Sequence, residues 1–183
     1  MVLPGHLAGG YLTAKAVLYL AHASFSPAET TALMAIGTLA GEAPDIDLLF
    51  FYLHQKYSAV PEKRDSHRSF ITHTPAFWLL ISMLIVGTGW IGSSLFTETL
   101  GWLLLAGSWS HFLLDSFEYG IRWLWPFSDK RFCVRNVVEP VIPGPQGNIS
   151  YYWKLLSKVY YKRVTFYLEG LVVLIALWVA FHG

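Results

Sequence analysis

The chain has 183 residues, enough for one domain, with a net charge of +1, 54% hydrophobic residues and only 14% charged ones. A mean hydropathy of +0.43 with so little charge argues against a soluble domain, which typically carries about 25% charged residues. The balanced charge excludes general attraction to nucleic acid, and a single cysteine, Cys133, excludes an internal disulfide or a cysteine-based zinc knuckle.

Met1 to Gly10 has no basic run of the kind that opens a cleaved signal peptide, so the first helix is expected to stay. His6 to Ala21 is apolar apart from Lys15 and reads as a membrane helix of marginal length, with Lys15 snorkelling. Ser26-Pro27-Ala28-Glu29 has the form of a capping box with proline at the first helical position. The helix it opens carries Gly37 and Gly41, four apart, where another helix can approach closely. It breaks at Glu42-Ala43-Pro44-Asp45-Ile46-Asp47, because each charge placed in lipid costs roughly 2.5–3.5 kcal/mol. Leu48 to Leu53 resumes an apolar stretch, and His54 to Asp65 is a polar loop.

Thr74-Pro75 reads as a helix start, with Thr capping and Pro first in the helix. Ala76 to Phe96 supplies 21 uncharged residues. At about 1.5 Å per residue these cross a hydrocarbon core of roughly 30 Å. Thr97-Glu98 is the expected connection, and Leu100 to Phe117 the returning span. Arg122 to Tyr161 is basic and rich in Pro and Gly, and Val164 to Phe181 is the last span, with Glu169 read as an interface residue. The expected architecture is one domain, 1–183: an all-α, polytopic membrane helical bundle of four to five transmembrane helices with an irregular loop at 119–163. Eight Trp and ten Tyr suit side chains at the membrane boundary.

Basic residues orient it. Lys56, Lys63, Arg64 and Arg68 precede the Ala76 span, and Arg122, Lys130, Arg131, Arg135, Lys154, Lys158, Lys162 and Arg163 follow Phe117. The connection near Thr97 has none, so both basic loops face the cytoplasm. His73, His111, Asp115, Asp45, Asp47 and His6 then fall at one leaflet, while His22 and His182 fall at the other. His111 and Asp115 are one helical turn apart and share a face. Gly107 and Ser108 precede them and leave room, while Glu118 one turn on reads as a surface residue. Asp45 and Asp47 flank Ile46, and in a turn both carboxylates can point the same way. His67 and His73, six apart, converge only if residues 67 to 73 form a loop. Arg68 suits a phosphate or carboxylate.

Histidine and aspartate without cysteine suit zinc first, or manganese or iron, as one or two ions. Such an ion makes hydroxide from water at neutral pH. There is no nucleophile elbow, phosphate loop or dinucleotide fingerprint.

Gly5-His6-Leu7, Ala43-Pro44-Asp45-Ile46-Asp47, His67-Arg68, Thr72-His73-Thr74, Ser110-His111, Leu114-Asp115 and Trp125-Pro126-Phe127-Ser128-Asp129-Lys130-Arg131-Phe132 occur in that order. This set resembles the family of inner-membrane, metal-dependent hydrolases whose named member binds the LexA repressor. The resemblance implies a polytopic membrane protein with a divalent metal held by His6, Asp45, Asp47, His67, His73, His111 and Asp115. The leading expectation is hydrolysis of a phosphoester in a lipid or amphiphile, at the cytoplasmic face of the inner membrane. Asp47 would complete the metal shell or act as general base, and Arg68 would neutralise substrate charge. The alternatives are a metal-stabilised membrane adaptor or regulator, with an unidentified protein partner on loop 122 to 163, and a metal or proton transporter.

Overall fold

The computed structural model of the chain describes residues 2–48, 67–135 and 153–182, without the side chains of His67 and Leu155. The apolar stretch beyond Leu48 and the polar loop His54 to Asp65 lie outside the described residues. The described residues form five α-helices: α1 (Leu3–Ala21), α2 (Pro27–Ala40), α3 (Pro75–Ile91), α4 (Leu95–Asp115) and α5 (Val164–His182). No strand occurs among the described residues; an isolated antiparallel bridge joins Ile121 and Phe132.

Each start has a local cause. Ser26 accepts from the Glu29 N–H while Glu29 returns to the Ser26 N–H, so the capping box opens α2 as expected. Pro75 opens α3, but Thr74 does not cap it: its hydroxyl donates to the Ile71 carbonyl at 2.7 Å. The α3–α4 connection also differs from expectation. Helix α3 stops at Ile91, the chain turns through Gly92, Ser93 (φ 50°) and Ser94, and Thr97 and Glu98 already belong to α4. Ser94 accepts from the Thr97 N–H and so sets the start of α4. Uncharged residues extend through this turn, so counting charge alone overran it.

Helices α1, α2 and α4 meet through small residues. A Cβ at Gly37 would lie 2.7 Å from the Ala14 Cβ, and one at Gly107 2.6 Å from the Ala40 Cβ. A Cβ at Gly41 would strike the His6 carbonyl oxygen, and one at Gly10 the Thr38 carbonyl oxygen. Ala14, Leu33 and Leu103 form the buried apolar core, flanked by Val17, Leu18, Phe25, Met34, Phe96 and Leu100. That core occupies one end of the three-helix crossing, and the polar ends of the helices occupy the other.

Two carboxylates expected at the surface are buried instead. Glu169 of α5 accepts from the Gly5 N–H of α1 at 2.9 Å and from the Tyr160 hydroxyl. Helix α1 has no side-chain cap of its own at Val2. Glu169 therefore supplies the anion its N-terminus favours. Gly5 permits the contact, since a Cβ there would lie 2.8 Å from the Glu169 Cγ. Glu118 accepts from Thr165 Oγ1 at 2.7 Å and lies 3.9 Å from Arg163 Nη1. Both carboxylates have donors converging on them, the condition for burying one. The loop at 119–163 is likewise not irregular throughout, since a π-helical turn (Leu155–Val159) and a 3-10 turn (Tyr160–Lys162) lead into α5.

Among the described residues, Val164–His182 is the helix long and apolar enough to cross a membrane by length and composition; Pro75–Ile91 is apolar but has 17 residues.

The small-residue contacts predict a contrast in detergent melting curves. Gly41→Ala should cost about 1–3 kcal/mol through overpacking against backbone. Gly87→Ala, where a Cβ would meet nothing within 4 Å, should be neutral or gain up to about 1 kcal/mol from helix propensity. Equal effects would contradict this packing.

Candidate metal centre

Four pieces of chain converge where α1 begins and α4 ends. His6 lies in the first turns of α1, its backbone against Gly41. Pro44 sets a 3-10 turn, Ala43–Ile46, that stops α2 from continuing and presents Asp45 and Asp47. A second 3-10 turn, Ile71–His73, delivers His73 just ahead of α3. His111 and Asp115 occupy one face of the last turns of α4. His6, Asp47, His73, His111 and Asp115 are all essentially inaccessible to solvent.

The rings of His6 and His111 stack with centroids 3.7 Å apart, and His73 meets His111 edge-on at 5.2 Å. Asp115 Oδ1 lies 3.3 Å from His6 Nε2, and Asp115 Oδ2 lies 3.8 Å from His73 Nε2 and 4.0 Å from His111 Nε2. Asp45 Oδ1 lies 3.5 Å from His111 Nε2. Ligand atoms of His6, His111 and Asp115 form one group within 4.8 Å of one another, and those of Asp45, His73 and His111 form another. Two atoms each about 2.0–2.1 Å from a tetrahedral zinc ion lie about 3.3–3.4 Å apart, so these spacings fit a shared cation after small adjustments.

The chemistry of His111 is the sharper test of fit. Its Nδ1 is 2.8 Å from the Gly41 carbonyl oxygen. A carbonyl only accepts, so Nδ1 carries the proton. The neutral ring then presents an Nε2 lone pair, and that atom is buried with no hydrogen-bond partner among the described residues. A lone pair facing two carboxylates is repelled by both unless a cation sits between them.

The remaining polar side chains hold these groups from behind. Asp47 Oδ2 lies 3.1 Å from His73 Nδ1 and accepts from Thr72 Oγ1 at 3.3 Å. Asp47 thus meets the same His73 nitrogen that lies 3.9 Å from Asp45 Oδ1; its own Oδ1 is buried with no hydrogen-bond partner among the described residues, and it falls outside both ligand groups. Arg68 Nε donates to Asp115 Oδ2 at 3.1 Å, and its guanidinium lies over the Tyr119 ring at 4.0 Å. Arg122, counted in the sequence only as loop charge, donates to the Ser69 and Phe70 carbonyls and fixes the turn that carries Arg68. The side chain of His67 lies outside the described residues. The 3-10 turn His67–Ser69 is consistent with the expected loop.

Electrostatics favour a cation here. Burial opposes a charge on His73, yet the adjacent Asp115 and Asp47 carboxylates hold its pKa above the ordinary value. Burial, then repulsion from Asp115, pushes the Asp45 carboxyl up. Burial, then repulsion from Asp45, pushes Glu42 up from 4.5 to about 8. The unfolded chain ionises Glu42 above about 4.5, whereas the folded chain resists ionisation up to about 8. Glu42 thus withdraws stability as pH rises across that interval. In chelator-treated protein, the melting temperature of Glu42→Gln should gain on wild type steadily between about pH 5 and 8. A difference that stays constant with pH would contradict the burial of this carboxyl.

Comparison with known proteins places the chain. A family model described as YdjM inner membrane protein matches residues 1–182. Inner membrane protein YbcI of Escherichia coli (strain K12) is 37% identical over 117 residues, covering 61% of this chain and 63% of YbcI. The match thus spans less than two thirds of that relative's length. No solved structure matches. The chain belongs to the YdjM family of inner membrane proteins.

Proposed function

We propose that the chain is a multi-pass inner-membrane hydrolase that uses one divalent metal ion to cleave a phosphoester of a lipid or amphiphile at the cytoplasmic face. The observation that carries this reading is the His111 Nε2 lone pair, buried without a donor and facing Asp45 and Asp115. Because Nδ1 is committed to Gly41, His111 has one lone pair for both ligand groups, which favours one ion over two among the described residues. His6, His73, His111, Asp45 and Asp115 would hold it. Nitrogen and carboxylate donors suit zinc, with manganese or iron as substitutes.

Helices α1, α3, α4 and α5 have 19, 17, 21 and 19 residues, or about 25–32 Å each. That supports four crossings, with α2 as a shorter fifth. Lys and Arg cluster at the end that carries the site, which supports its cytoplasmic placement. A bound divalent ion supplies Lewis acidity to a phosphoryl oxygen and acidifies water. Asp47 keeps the His73 tautomer that directs Nε2 inward. Arg68 orients Asp115 and brings fixed positive charge to the rim, where a phosphate would approach.

Purified wild type should carry about one equivalent of metal per chain, lost in His111→Ala, with Asp47→Asn weakening affinity roughly 10–100-fold. A screen of phosphodiesters and phospholipids should find turnover in wild type that Asp115→Ala lacks. Correctly folded, metal-free wild type would sink the proposal. Full metal occupancy without turnover on any substrate would favour the adaptor reading, in which the ion is structural.

A further inference from the structure

The segment Trp125-Pro126-Phe127-Ser128-Asp129-Lys130-Arg131-Phe132 takes no part in the site, yet it is held rigidly beside it. The Val134 and Arg135 N–H groups donate to the Ser116 and Phe117 carbonyls at 2.7 and 2.9 Å, at the end of α4. Arg122 and Arg131 bind the backbone and hydroxyl of Ser69, just before α3. Trp123 Nε1 donates to Ser116 Oγ, and Ile121 and Phe132 exchange both backbone hydrogen bonds. The base of this loop is therefore fixed at the level where α3 begins and α4 ends.

Its crown is apolar and bare. Phe127 is 94% exposed, and Leu124, Phe132 and Val134 are more than half exposed. The turn satisfies its own tip, since the Phe127 and Ser128 N–H groups both donate to the Leu124 carbonyl, at 2.8 and 3.0 Å. With these N–H groups paired and none on Pro126, the tip enters an apolar medium without stranding a backbone donor. Lys130, Arg131 and Arg135 are exposed around it.

We infer that this loop dips into the bilayer interface beside the site, with Leu124 and Phe127 among the acyl chains and Lys130 and Arg135 on anionic headgroups. In an inner-membrane family protein, the ends of apolar helices mark the headgroup level. An aromatic tip with a cationic rim fixed at that level complements an anionic lipid surface in both shape and charge. The inference stands on the loop alone and does not require the metal reading. It gives the site a fixed membrane-contact element next to Arg68, through which an amphiphile would reach it without leaving the bilayer.

The test uses the full chain with Cys133→Ala, which leaves no native cysteine. Single spin labels are placed at Phe127→Cys, Leu124→Cys and Asp129→Cys, in nanodiscs of phosphatidylethanolamine and phosphatidylglycerol. Power saturation should show the labels at 127 and 124 favouring oxygen over a water-soluble nickel chelate by several-fold, with the reverse at 129. The inference is overturned if label 127 is as open to the nickel chelate as label 129. It is equally overturned if label 127 is shielded from both relaxants, since that places it against protein.

Discussion

One hydrogen bond organises the rest. By donating Nδ1–H to the Gly41 carbonyl, His111 gives up any freedom to turn its proton inward, and its other nitrogen faces carboxylates in a dry pocket. Removing water makes both attraction and repulsion there far stronger than at a surface. The pocket therefore calls for a positive charge among Asp45, Asp115 and the three imidazoles. The architecture around it keeps those groups close. Gly41 lies against the His6 carbonyl with no room for a side chain, so the residue that fixes His111 also sets the depth of His6. A single crossing of α1 and α2 thus places two of the candidate ligands.

The same economy appears in the supporting groups. Asp47 holds His73, Arg68 holds Asp115, and Arg122 holds the turn that presents Arg68. Glu169 holds the N-terminus of α1, one residue from His6. These partners come from every part of the described chain, and α5 joins through Glu169 and Thr165. The apolar core of Ala14, Leu33 and Leu103 sits at the opposite end of the crossing and carries no polar chemistry.

Much of this arrangement was legible in the sequence, for reasons specific to particular residues. The Ser26-to-Glu29 box and Pro75 mark helix starts because capping is local chemistry. The i,i+4 pair His111 and Asp115 shares a face by helix geometry alone. Depth along the helices brought His6, Asp45 and His73 to the same end, and the structure brings all of them together. What was not legible depends on tertiary partners. Asp47 cannot be told from Asp45 without knowing that it, and not Asp45, comes within hydrogen-bonding distance of His73 Nδ1. Glu118 and Glu169 read as boundary residues because their donors, Thr165 and the Gly5 N–H, lie 47 and 164 residues away. The Gly92-to-Ser94 turn did carry a signal, a glycine followed by a serine cap, but uninterrupted hydropathy hid it.

The most direct measurement is X-ray absorption spectroscopy of the purified, membrane-extracted protein at the edge of whichever metal it carries. The expected result is a nitrogen and oxygen shell near about 2.0–2.1 Å, with the outer-shell scattering of several imidazoles, which collapses in His111→Ala. A metal shell lacking imidazole scattering, or a well-folded protein carrying no divalent metal, would contradict it.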